Sequence, residues 1–392
     1  MQATELLADL EAAPRSASLP APRWDDLGRD VYCVLGIPID AIDMPTLVRI
    51  VERAAAEKAA FLLSTPNLNF LINSKVDPEF RETLILSELC IADGMAVVWM
   101  ARLMGLPIKE RVAGSDMLEA LKADNSRSGS LKLFLFGGAE GVVEQAANTL
   151  NRSGSRLRCV GSLFPGFGSV EDMSRDDIIE KINASGADFL IAALGAKKGQ
   201  SWLQRNRDRI QIPIRSHLGA VVNFEAGTVK RAPSGIGKSG FEWLWRIKEE
   251  PHLWRRYWED GKQFLRLLLV HVLPIAVRSK WDQLCGRASK SLQIERTDGR
   301  DTITLQLSGA ATAANVGQAI DAFRSALASR RKIRINLAKT CAIDGRFLGL
   351  ILMLRKRAKK EAIDLDFFGA SKRLKAVFRL NGAAFLLEEQ SS

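Results

Sequence analysis

The sequence has few histidines and few cysteines, and those it has stand far apart. Its three histidines are His217, His252 and His271, which are too scattered to favour catalysis centred on histidine. The five cysteines include no CxxC pair and no cluster with histidine. This spacing argues against a structural zinc site and against a disulfide framework, and it fits a reducing compartment.

Long apolar runs are also lacking. The nearest candidate, FLRLLLVHVLPIAV (264–277), is short, contains Arg266 and is interrupted by Pro274. It therefore does not predict a transmembrane helix, but it leaves an interfacial helix open. The N-terminus, MQATELLADLEAAP, carries acidic residues where an export signal needs basic ones, so we expect no export signal.

Cationic side chains outnumber acidic ones, with 56 Lys and Arg against 45 Asp and Glu, which gives a net charge of +11 over 392 residues. Such an excess favours an anionic partner, namely phosphate esters, acidic lipid or nucleic acid, without choosing among them. It is concentrated in residues 228–290, which hold 13 Lys and Arg, 6 Asp and Glu, and five of the eight tryptophans.

Composition and periodicity predict four segments. Residues 1–28 form a flexible leader, 29–240 alternate strands with helices, 241–290 form a basic, Trp-rich appendage, and 291–392 form a smaller α/β domain. The alternation predicts an α/β fold with a Rossmann-like parallel sheet and helices on both faces. In such sheets ligands bind beyond the carboxyl ends of the strands.

Some segments carry specific predictions of secondary structure. VYCVLGIPI (31–39) and PIRSHLGAVVNF (213–224) are typical of strands, and SWLQRNRDRI (201–210) is typical of a helix. In the last domain the predicted order is strand, helix, strand, helix, strand, helix, and it begins with a strand over 302–309.

Two polar motifs follow predicted strands. Thr65 and Asn67 flank Pro66 in LSTPNLNF, where a hydroxyl and an amide stand at a strand mouth, although a simple turn is the alternative. Asp93 follows an apolar strand in IADGMAVVW and precedes an apolar helix. It is a candidate general base, with helix capping as the alternative. Because a free aspartate has a pKa of about 3.9, base catalysis would need desolvation.

Two further motifs suit anionic groups. Arg111 precedes a glycine turn in ERVAGSDML, where a guanidinium can clamp a diphosphate; a solvated surface arginine is the alternative. Gly137 and Gly138 form a strand-to-helix turn in FLFGGAEGVV, where backbone N–H groups can receive phosphate or sugar oxygens. Tight packing also explains these two glycines.

Aromatic and cationic residues are mixed in the appendage. Trp254 and Trp258 are spaced i, i+4, with Arg255 and Arg256 between them, and Arg231 lies before a proline turn that opens this region. The mixture suits a membrane interface or a lipid-phosphate acceptor. It also suits single-stranded nucleic acid, and burial against the sheet is the third alternative.

The order of these motifs closely resembles the WecG/TagA/CpsF glycosyltransferase family over about residues 31–258. The motifs are, in order, Thr-Pro-Asn, Ala-Asp-Gly, Arg-x-x-Gly-x-Asp, Phe-Gly-Gly, Ala-Gly-Thr-Val-Lys-Arg-Ala-Pro, and Glu-Trp-Leu-x-Arg with Glu-Pro. The resemblance implies transfer from a UDP-sugar to a polyprenyl-diphosphate-linked acceptor, with inversion, at the inner face of the cell membrane. It implies a cytoplasmic, peripheral location, no cofactor and no metal, since the only Asp-x-Asp, at 364–366, lies in a predicted strand.

The resemblance assigns roles at the strand ends. Asp93 is similar to the family's general base, and Thr65 and Asn67 are similar to neighbouring active-site residues. Arg111 is similar to the arginine near the leaving diphosphate. Such an arginine, with helix N-termini, can replace a metal in stabilising that group. The glycine turn at 137–138 completes the predicted substrate contacts of the sheet.

The resemblance extends to a basic appendage that closes over the site and meets the membrane. Arg231, Arg246, Arg255 and Arg256 are the residues of this chain that it implicates.

Two departures from the family pattern stand out. The stretch Gly-x-Pro-Lys-Gln-Glu has Gly199 at its glutamine and Gln200 at its glutamate, and Asn223 replaces an aspartate of another stretch. Gln200 remains a predicted substrate contact. A changed donor sugar is the milder inference, and loss of catalysis is the stronger one. We favour the milder inference because Asp93, Thr65, Asn67 and Arg111 are all present.

The segment at about 292–390 resembles a STAS domain, through TITLQLSGAATAANV, CAIDGRFLGLILML and FFGASKRLKAVFRLNG. Where regulatory members have Asp-Ser-Ser-Gly, this chain has Asp344, Gly345, Arg346 and Phe347, so it lacks the phosphate-accepting serine. A docking role toward a protein partner is then expected. The alternative function is a catalytically degenerate scaffold for the polysaccharide machinery; nucleic acid is not an expected partner, since no nucleic-acid-binding module is visible.

Overall fold

The computed structural model describes residues 24–124, 129–230, 242–249 and 254–388. Most of the leader predicted for 1–28 lies outside these ranges.

A six-stranded, fully parallel sheet forms the centre of the N-terminal part, as predicted. Its strands lie in the order β4-β3-β8-β7-β5-β6. They are β3 (Phe61–Ser64), β4 (Leu89–Cys90), β5 (Leu131–Gly137), β6 (Leu157–Leu163), β7 (Phe189–Ala193) and β8 (Ile214–His217). Before them, β1 (Val31–Val34) and β2 (Ile37–Asp40) form an antiparallel hairpin.

Helices cover both faces of this sheet because alternate strand residues point to opposite sides. Leu133 and Leu135 pack into one apolar cluster, and Phe134 and Phe136 pack into the other. The helices are α1 (Met44–Ala56), α2 (Leu68–Val76), α3 (Pro78–Ile85), α4 (Met95–Leu103), α5 (Gly114–Ala123), α6 (Val142–Arg152), α7 (Asp176–Ala184), α8 (Ala196–Arg205) and α9 (Gly219–Glu225).

Three sequence predictions for the part around the parallel sheet were wrong in detail. Residues 31–39 form a hairpin rather than one strand, because Leu35 and Gly36 have φ of 51° and 96° and turn the chain. In 213–224 the strand ends at His217 and the rest is helix α9, since an apolar run does not distinguish a buried strand from a helix. The helix predicted over 201–210 begins five residues earlier and ends at Arg205.

The appendage is a long, nearly continuous helix. It follows the short α10 (Glu242–Glu249) and consists of α11 (Trp254–Leu267), a π-helical turn (Leu268–Val272) and α12 (Leu273–Leu284). The prediction that Pro274 interrupts this segment was therefore wrong. Pro274 sits in the first turn of α12, where its missing N–H is tolerated directly after the wider π turn. Within the described ranges, no helix has both the length and the apolarity needed to cross a membrane.

The C-terminal domain has the α/β STAS architecture that the sequence predicted. Its sheet order is β12-β11-β10-β9, with only the β9–β10 pair antiparallel. Its elements are β9 (Gln293–Asp298), β10 (Thr302–Ala311), α13 (Val316–Ala328), β11 (Lys332–Ile343), α14 (Gly345–Lys360), β12 (Leu365–Phe368) and α15 (Lys372–Leu380). Strand β9 was missed because it is a polar, largely exposed edge strand. Asp366 of β12 pairs with Lys332 at 2.7 Å.

The two domains share a core. Val31 and Cys33 of the hairpin belong to the same apolar cluster as the STAS helix α14. Gly349 of α14 permits this contact, since a Cβ there would lie 2.2 Å from the Val31 carbonyl oxygen. The predicted boundary between the domains stays a prediction, but the hairpin packs against the STAS helix and lies outside the parallel sheet.

Candidate active site at the sheet edge

Backbone hydrogen bonds connect three loops at the carboxyl edge of the parallel sheet. The Asp93 N–H, after β4, donates to the Pro66 carbonyl, after β3, at 2.9 Å. The Val112 N–H donates to the Ala92 carbonyl at 3.0 Å, which attaches the segment that leads into α5. The loops that carry Thr65, Asp93 and Arg111 are therefore held side by side.

Thr65 and Asn67 occupy different environments at the end of β3. Thr65 is buried, and its methyl carbon would lie 3.4 Å from a Cβ on Gly114. Asn67 caps helix α2, since its side-chain oxygen accepts from the Phe70 N–H at 3.3 Å. This capping is the local reason for an asparagine here. Their predicted catalytic roles stay predictions, and the structure brings both to the loop edge beside Asp93.

Asp93 does not cap the helix that follows it. The N-cap of α4 is Gly94, whose φ of 152° carries the chain past Asn67 at close range. The Asp93 carboxylate instead accepts from the Gly114 N–H at 3.4 Å, at the start of α5. Asp93 is half-buried, so its carboxylate lies at the edge of the sheet and next to the positive end of a helix.

Arg111 is held close to this edge by an ion pair. Its guanidinium lies 2.7 Å from the Asp116 carboxylate, and its side chain is only 13% exposed. It is therefore not the freely solvated surface arginine of the alternative interpretation. Asp116 lies in the first turn of α5, so one helix positions both Arg111 and the Gly114 N–H.

The glycine turn lies at the end of β5, which β8 and β7 separate from β3 in the sheet. Gly138 donates its N–H to the Ala193 carbonyl of β7 at 2.7 Å. Gly137 has φ of 98°, and a Cβ there would lie 2.7 Å from the same carbonyl oxygen. A Cβ on Gly138 would be 3.6 Å from Val222 of α9. Tight packing therefore accounts for Gly137, and its substrate-binding role remains a prediction.

Gln200 lies beneath the site rather than on its surface. It is fully buried, and its side-chain amide donates to the Ser64 hydroxyl at 2.6 Å. Ser64 in turn contacts the Ser87 hydroxyl at 2.7 Å. Since Ser64 directly precedes Thr65, this arrangement gives Gln200 a role in positioning β3. Direct substrate contact by Gln200 remains a prediction.

His217 was not singled out from the sequence, yet it lies at the end of β8, beside β3. Burial lowers its pKa to about 4, so the imidazole is neutral near pH 7. Among the described residues, no hydrogen-bond partner is found for its Nε2. Its ring packs against Phe70 at 6.3 Å and fills the space where a Cβ on Gly199 would stand, 2.2 Å from Cδ2. A histidine at the end of a buried strand was the available signal.

The appendage packs on the helices that follow the site loops. Phe264 of α11 contacts Trp99 of α4, with ring centroids 6.3 Å apart. Arg255 lies over the Trp254 ring at 5.6 Å. Arg256 lies 3.8 Å from the Asp260 carboxylate.

Two of the predicted arginines cannot be placed. Arg231 lies outside the described residues, and so does the side chain of Arg246. The structure does not bring Arg255 or Arg256 into a described contact with the Asp93 loop.

The sequence profile described as glycosyl transferase WecG/TagA/CpsF family matches residues 32–276, which is more than half of the chain. The chain belongs to this family. The predicted class of enzyme, a glycosyltransferase, is thereby confirmed. A second profile, described as Mlab, STAS domain, matches residues 285–388 of this WecG/TagA/CpsF glycosyltransferase, which confirms the predicted STAS domain.

Two bacterial proteins named N-acetylglucosaminyldiphosphoundecaprenol N-acetyl-beta-D-mannosaminyltransferase are similar to the WecG/TagA/CpsF part. The one from Bacillus spizizenii is 28% identical over 202 residues, covering 51% of this chain and 75% of that protein. The one from Bacillus subtilis is 24% identical over 212 residues, covering 54% and 80%. Among solved structures, the phosphorylated Bacillus cell fate determinant SpoIIAA matches 26% of this chain and 93% of that chain, with 19% identity and a TM-score of 0.22.

Proposed function

We propose that the enzyme moves a sugar from a UDP-sugar to a polyprenyl-diphosphate-linked acceptor in surface polysaccharide biosynthesis. The observation that carries the proposal is the connection of the Thr65, Asp93 and Arg111 loops at the carboxyl edge of a parallel sheet. The names of the two relatives specify an acceptor linked to diphosphoundecaprenol, which supports the same acceptor class here.

Asp93 is the proposed general base of a single, inverting displacement. Its carboxylate takes the proton of the acceptor hydroxyl while that oxygen forms a bond to C1 of the donor sugar. The bond between C1 and the diphosphate oxygen breaks at the same time, and its electron pair leaves with UDP. The half-buried position of Asp93 at the sheet edge suits this task, because an acceptor can reach it from solvent.

Arg111 is the proposed electrostatic partner of the departing diphosphate. Asp116 holds its guanidinium at 2.7 Å, so the group is already oriented before substrate binds. The N-terminus of α5 adds the positive end of its helix dipole on the same side, although the Gly114 N–H itself is bound to Asp93. Positive groups fixed in advance stabilise charge that develops in the transition state, and we propose that they do so here without a metal ion.

The proposed acceptor is a membrane lipid, so the enzyme must meet the membrane surface. An apolar stripe runs along α11, the π-helical turn and α12. Its members are spaced four residues apart and each is 43–68% exposed: Leu265, Leu269, Leu273, Val277 and Trp281. Residues four apart are neighbours on a helix surface. An exposed apolar stripe on a basic helix supports binding in the plane of the bilayer interface.

The altered loop at 195–200 is compatible with an active enzyme. Gly199 accommodates the His217 ring, and Gln200 supports Ser64. Gly199 and Gln200, the two altered residues of this stretch, therefore both have packing partners at the sheet edge. This supports a changed donor sugar over a scaffold that has lost catalysis.

The test is turnover by the purified full chain with a panel of UDP-sugars and a polyprenyl-diphosphate-linked N-acetylglucosamine. We expect Asp93→Asn to lower kcat by about 10²–10⁴-fold, the usual contribution of a general base, with UDP affinity retained. Asp176→Asn is the matched control, since Asp176 is a 90% exposed carboxylate of the same domain. Turnover of Asp93→Asn equal to that of the control would remove Asp93 from this role. Failure of every UDP-sugar to bind the wild type would favour the scaffold.

Membrane attachment is tested by sedimentation of the full chain with vesicles. We expect Leu265→Glu to reduce the bound fraction, because it places a charge in the apolar stripe. Phe167→Glu is the control, since Phe167 is 91% exposed but lies outside the stripe. Equal sedimentation of the two variants would contradict attachment through the stripe.

A further inference from the structure

An open groove of about 750 Å³ separates the appendage helix α12 from the STAS helix α15. Its apolar walls come from the stripe residues Leu269, Leu273, Val277 and Trp281, and from Leu380 at the end of α15. The groove is therefore continuous with the stripe proposed to meet the membrane, but one wall belongs to the STAS domain.

Three arginines gather along this groove around one carboxylate. Arg278, Arg287 and Arg373 all line it. Arg287 lies 3.5 Å from the Asp282 carboxylate, and Arg373 also pairs with Asp282. Arg278 donates to the backbone carbonyl of Arg373 at 3.2 Å. Among the described residues, Asp282 is the only carboxylate paired with this arginine cluster, so the group carries two unbalanced positive charges.

The arginine cluster lacks part of its expected hydrogen bonding. In the described part of the chain, Arg278 Nε is buried and has no hydrogen-bond partner. Burial, together with the neighbouring Arg287, lowers the pKa of Arg278, and burial with Arg278 lowers the pKa of Arg373. The cations thus lose hydration and repel one another, and a bound anion would relieve both effects.

We propose that this groove binds an anionic phospholipid of the membrane. The headgroup phosphate lies among Arg278, Arg287 and Arg373, and an acyl chain lies along the apolar walls. A free phosphate would leave those walls uncovered, whereas a phospholipid matches both the charge and the apolar surface of the groove. The inference rests on the membrane attachment proposed above, and it adds a headgroup site and a lipid-facing role for the STAS domain.

The experiment compares binding of the full chain to neutral phosphatidylcholine vesicles and to vesicles that also contain phosphatidylglycerol. We expect Arg287→Gln and Arg373→Gln each to weaken binding to the anionic vesicles about fivefold, with binding to neutral vesicles unchanged. Asp282→Asn has the opposite expected effect. It removes the carboxylate paired with Arg287 and Arg373 and should strengthen binding to anionic vesicles. Weaker binding to the anionic vesicles in all three variants, including Asp282→Asn, would indicate damage to the fold and would overturn the proposal.

Two controls separate this site from other sources of affinity. Lys280→Gln removes one charge from the exposed side of α12, and a loss as large as that of Arg287→Gln would mean diffuse attraction only. Leu265→Glu tests the stripe, and it should weaken binding to both vesicle types while leaving the preference for phosphatidylglycerol intact. Arg287→Lys should restore most of the preference. Competition by millimolar inorganic phosphate, or an unchanged preference in Arg287→Gln, would overturn the proposal.

Discussion

The ammonium of Lys356 in the STAS helix α14 lies 2.7 Å from the carboxylate of Asp26, near the end of the predicted leader, and 2.8 Å from the Ser87 carbonyl. Lys356 is 1% exposed, and Glu88 lies 3.6 Å away. Glu88 directly precedes β4 and accepts from the Leu62 N–H of β3 at 3.0 Å. A buried charge of the STAS domain therefore contacts residues 87–88, and these residues support the two strands that lead to Thr65 and Asp93.

Replacement of Lys356 by methionine should destabilise the whole chain. Removing one partner of a buried ion pair leaves an uncompensated charge, at a cost of about 3–5 kcal/mol. Burial alone would raise the pKa of Asp26, but Lys356 and Arg29 outweigh it and lower that pKa, so the carboxylate is charged in the folded protein. Urea unfolding at pH 7 measures the change.

Lys359→Met is the matched control for Lys356. Lys359 lies one turn further along α14, is 54% exposed and pairs with Glu82 at 2.9 Å. An exposed ion pair of this kind contributes about 0–1 kcal/mol. Equal losses in the two variants would show that burial of Lys356 has no energetic consequence.

Gly199→Ala should force a collision with the His217 ring. An ideal Cβ at this position lies 2.2 Å from Cδ2 of the ring, and overpacking of a closed site costs about 1–3 kcal/mol. The double variant Gly199→Ala/His217→Ala should recover part of that loss, because the ring is gone. Gly317→Ala is the control, since a Cβ there meets nothing within 4 Å. The contact would be contradicted if the double variant lost as much free energy of unfolding as the two single variants lose together.

The stability of the protein should fall between pH 7 and pH 5, partly through His217. Burial lowers the pKa of His217 to about 4 in the folded state, against 6.5 in the unfolded chain. Between these values the unfolded chain binds a proton that the folded one does not, so this contribution is complete above pH 6.5 and is lost as pH falls toward 4. The loss at pH 5 is roughly 2 kcal/mol.

Urea unfolding at pH 7 and pH 5 checks this change. His217→Gln should show a smaller drop than the wild type. His271, whose pKa is also lowered by burial, contributes in the same direction, so the difference between the two proteins isolates His217. An identical decrease in the free energy of unfolding of both proteins would contradict the prediction.

Gly137→Ala should destabilise the sheet edge more than Gly141→Ala does. Both glycines have left-handed backbones, with φ of 98° and 77°, which costs an alanine about 1–2 kcal/mol. Only Gly137 adds a collision, since its Cβ would lie 2.7 Å from the Ala193 carbonyl oxygen, whereas a Cβ on Gly141 meets nothing. Thermal unfolding of the two variants separates backbone strain from packing, and equal losses would argue against the close approach.

The local patterns of the sequence predicted much of this fold. Strands such as β5 and β7 are short apolar runs bounded by turn residues, and this local pattern is enough to predict a strand. The loop positions of Thr65, Asp93 and Arg111 followed from strand ends and from the family resemblance. Their roles in catalysis remain predictions, while their proximity is now visible in the backbone hydrogen bonds.

What the sequence could not predict depends on distant contacts. The pairing of Lys356 with Asp26 joins residues 330 positions apart and has no local signature. Leu35 adopts φ of 51°, which is unusual for leucine, so the hairpin was not foreseen. Gln200 was predicted from a motif position, but only the tertiary structure reveals that it is buried beneath Ser64.

The β1–β2 hairpin packs the STAS domain against the rest of the enzyme. Gly36 in its turn comes so near Gly382 that a Cβ would lie 2.5 Å from the Gly382 carbonyl oxygen, and Val31 completes the apolar interior around α14. Separating the two domains would expose apolar surface on both of them. Each of the two domains therefore depends on the other to keep its apolar surface away from water.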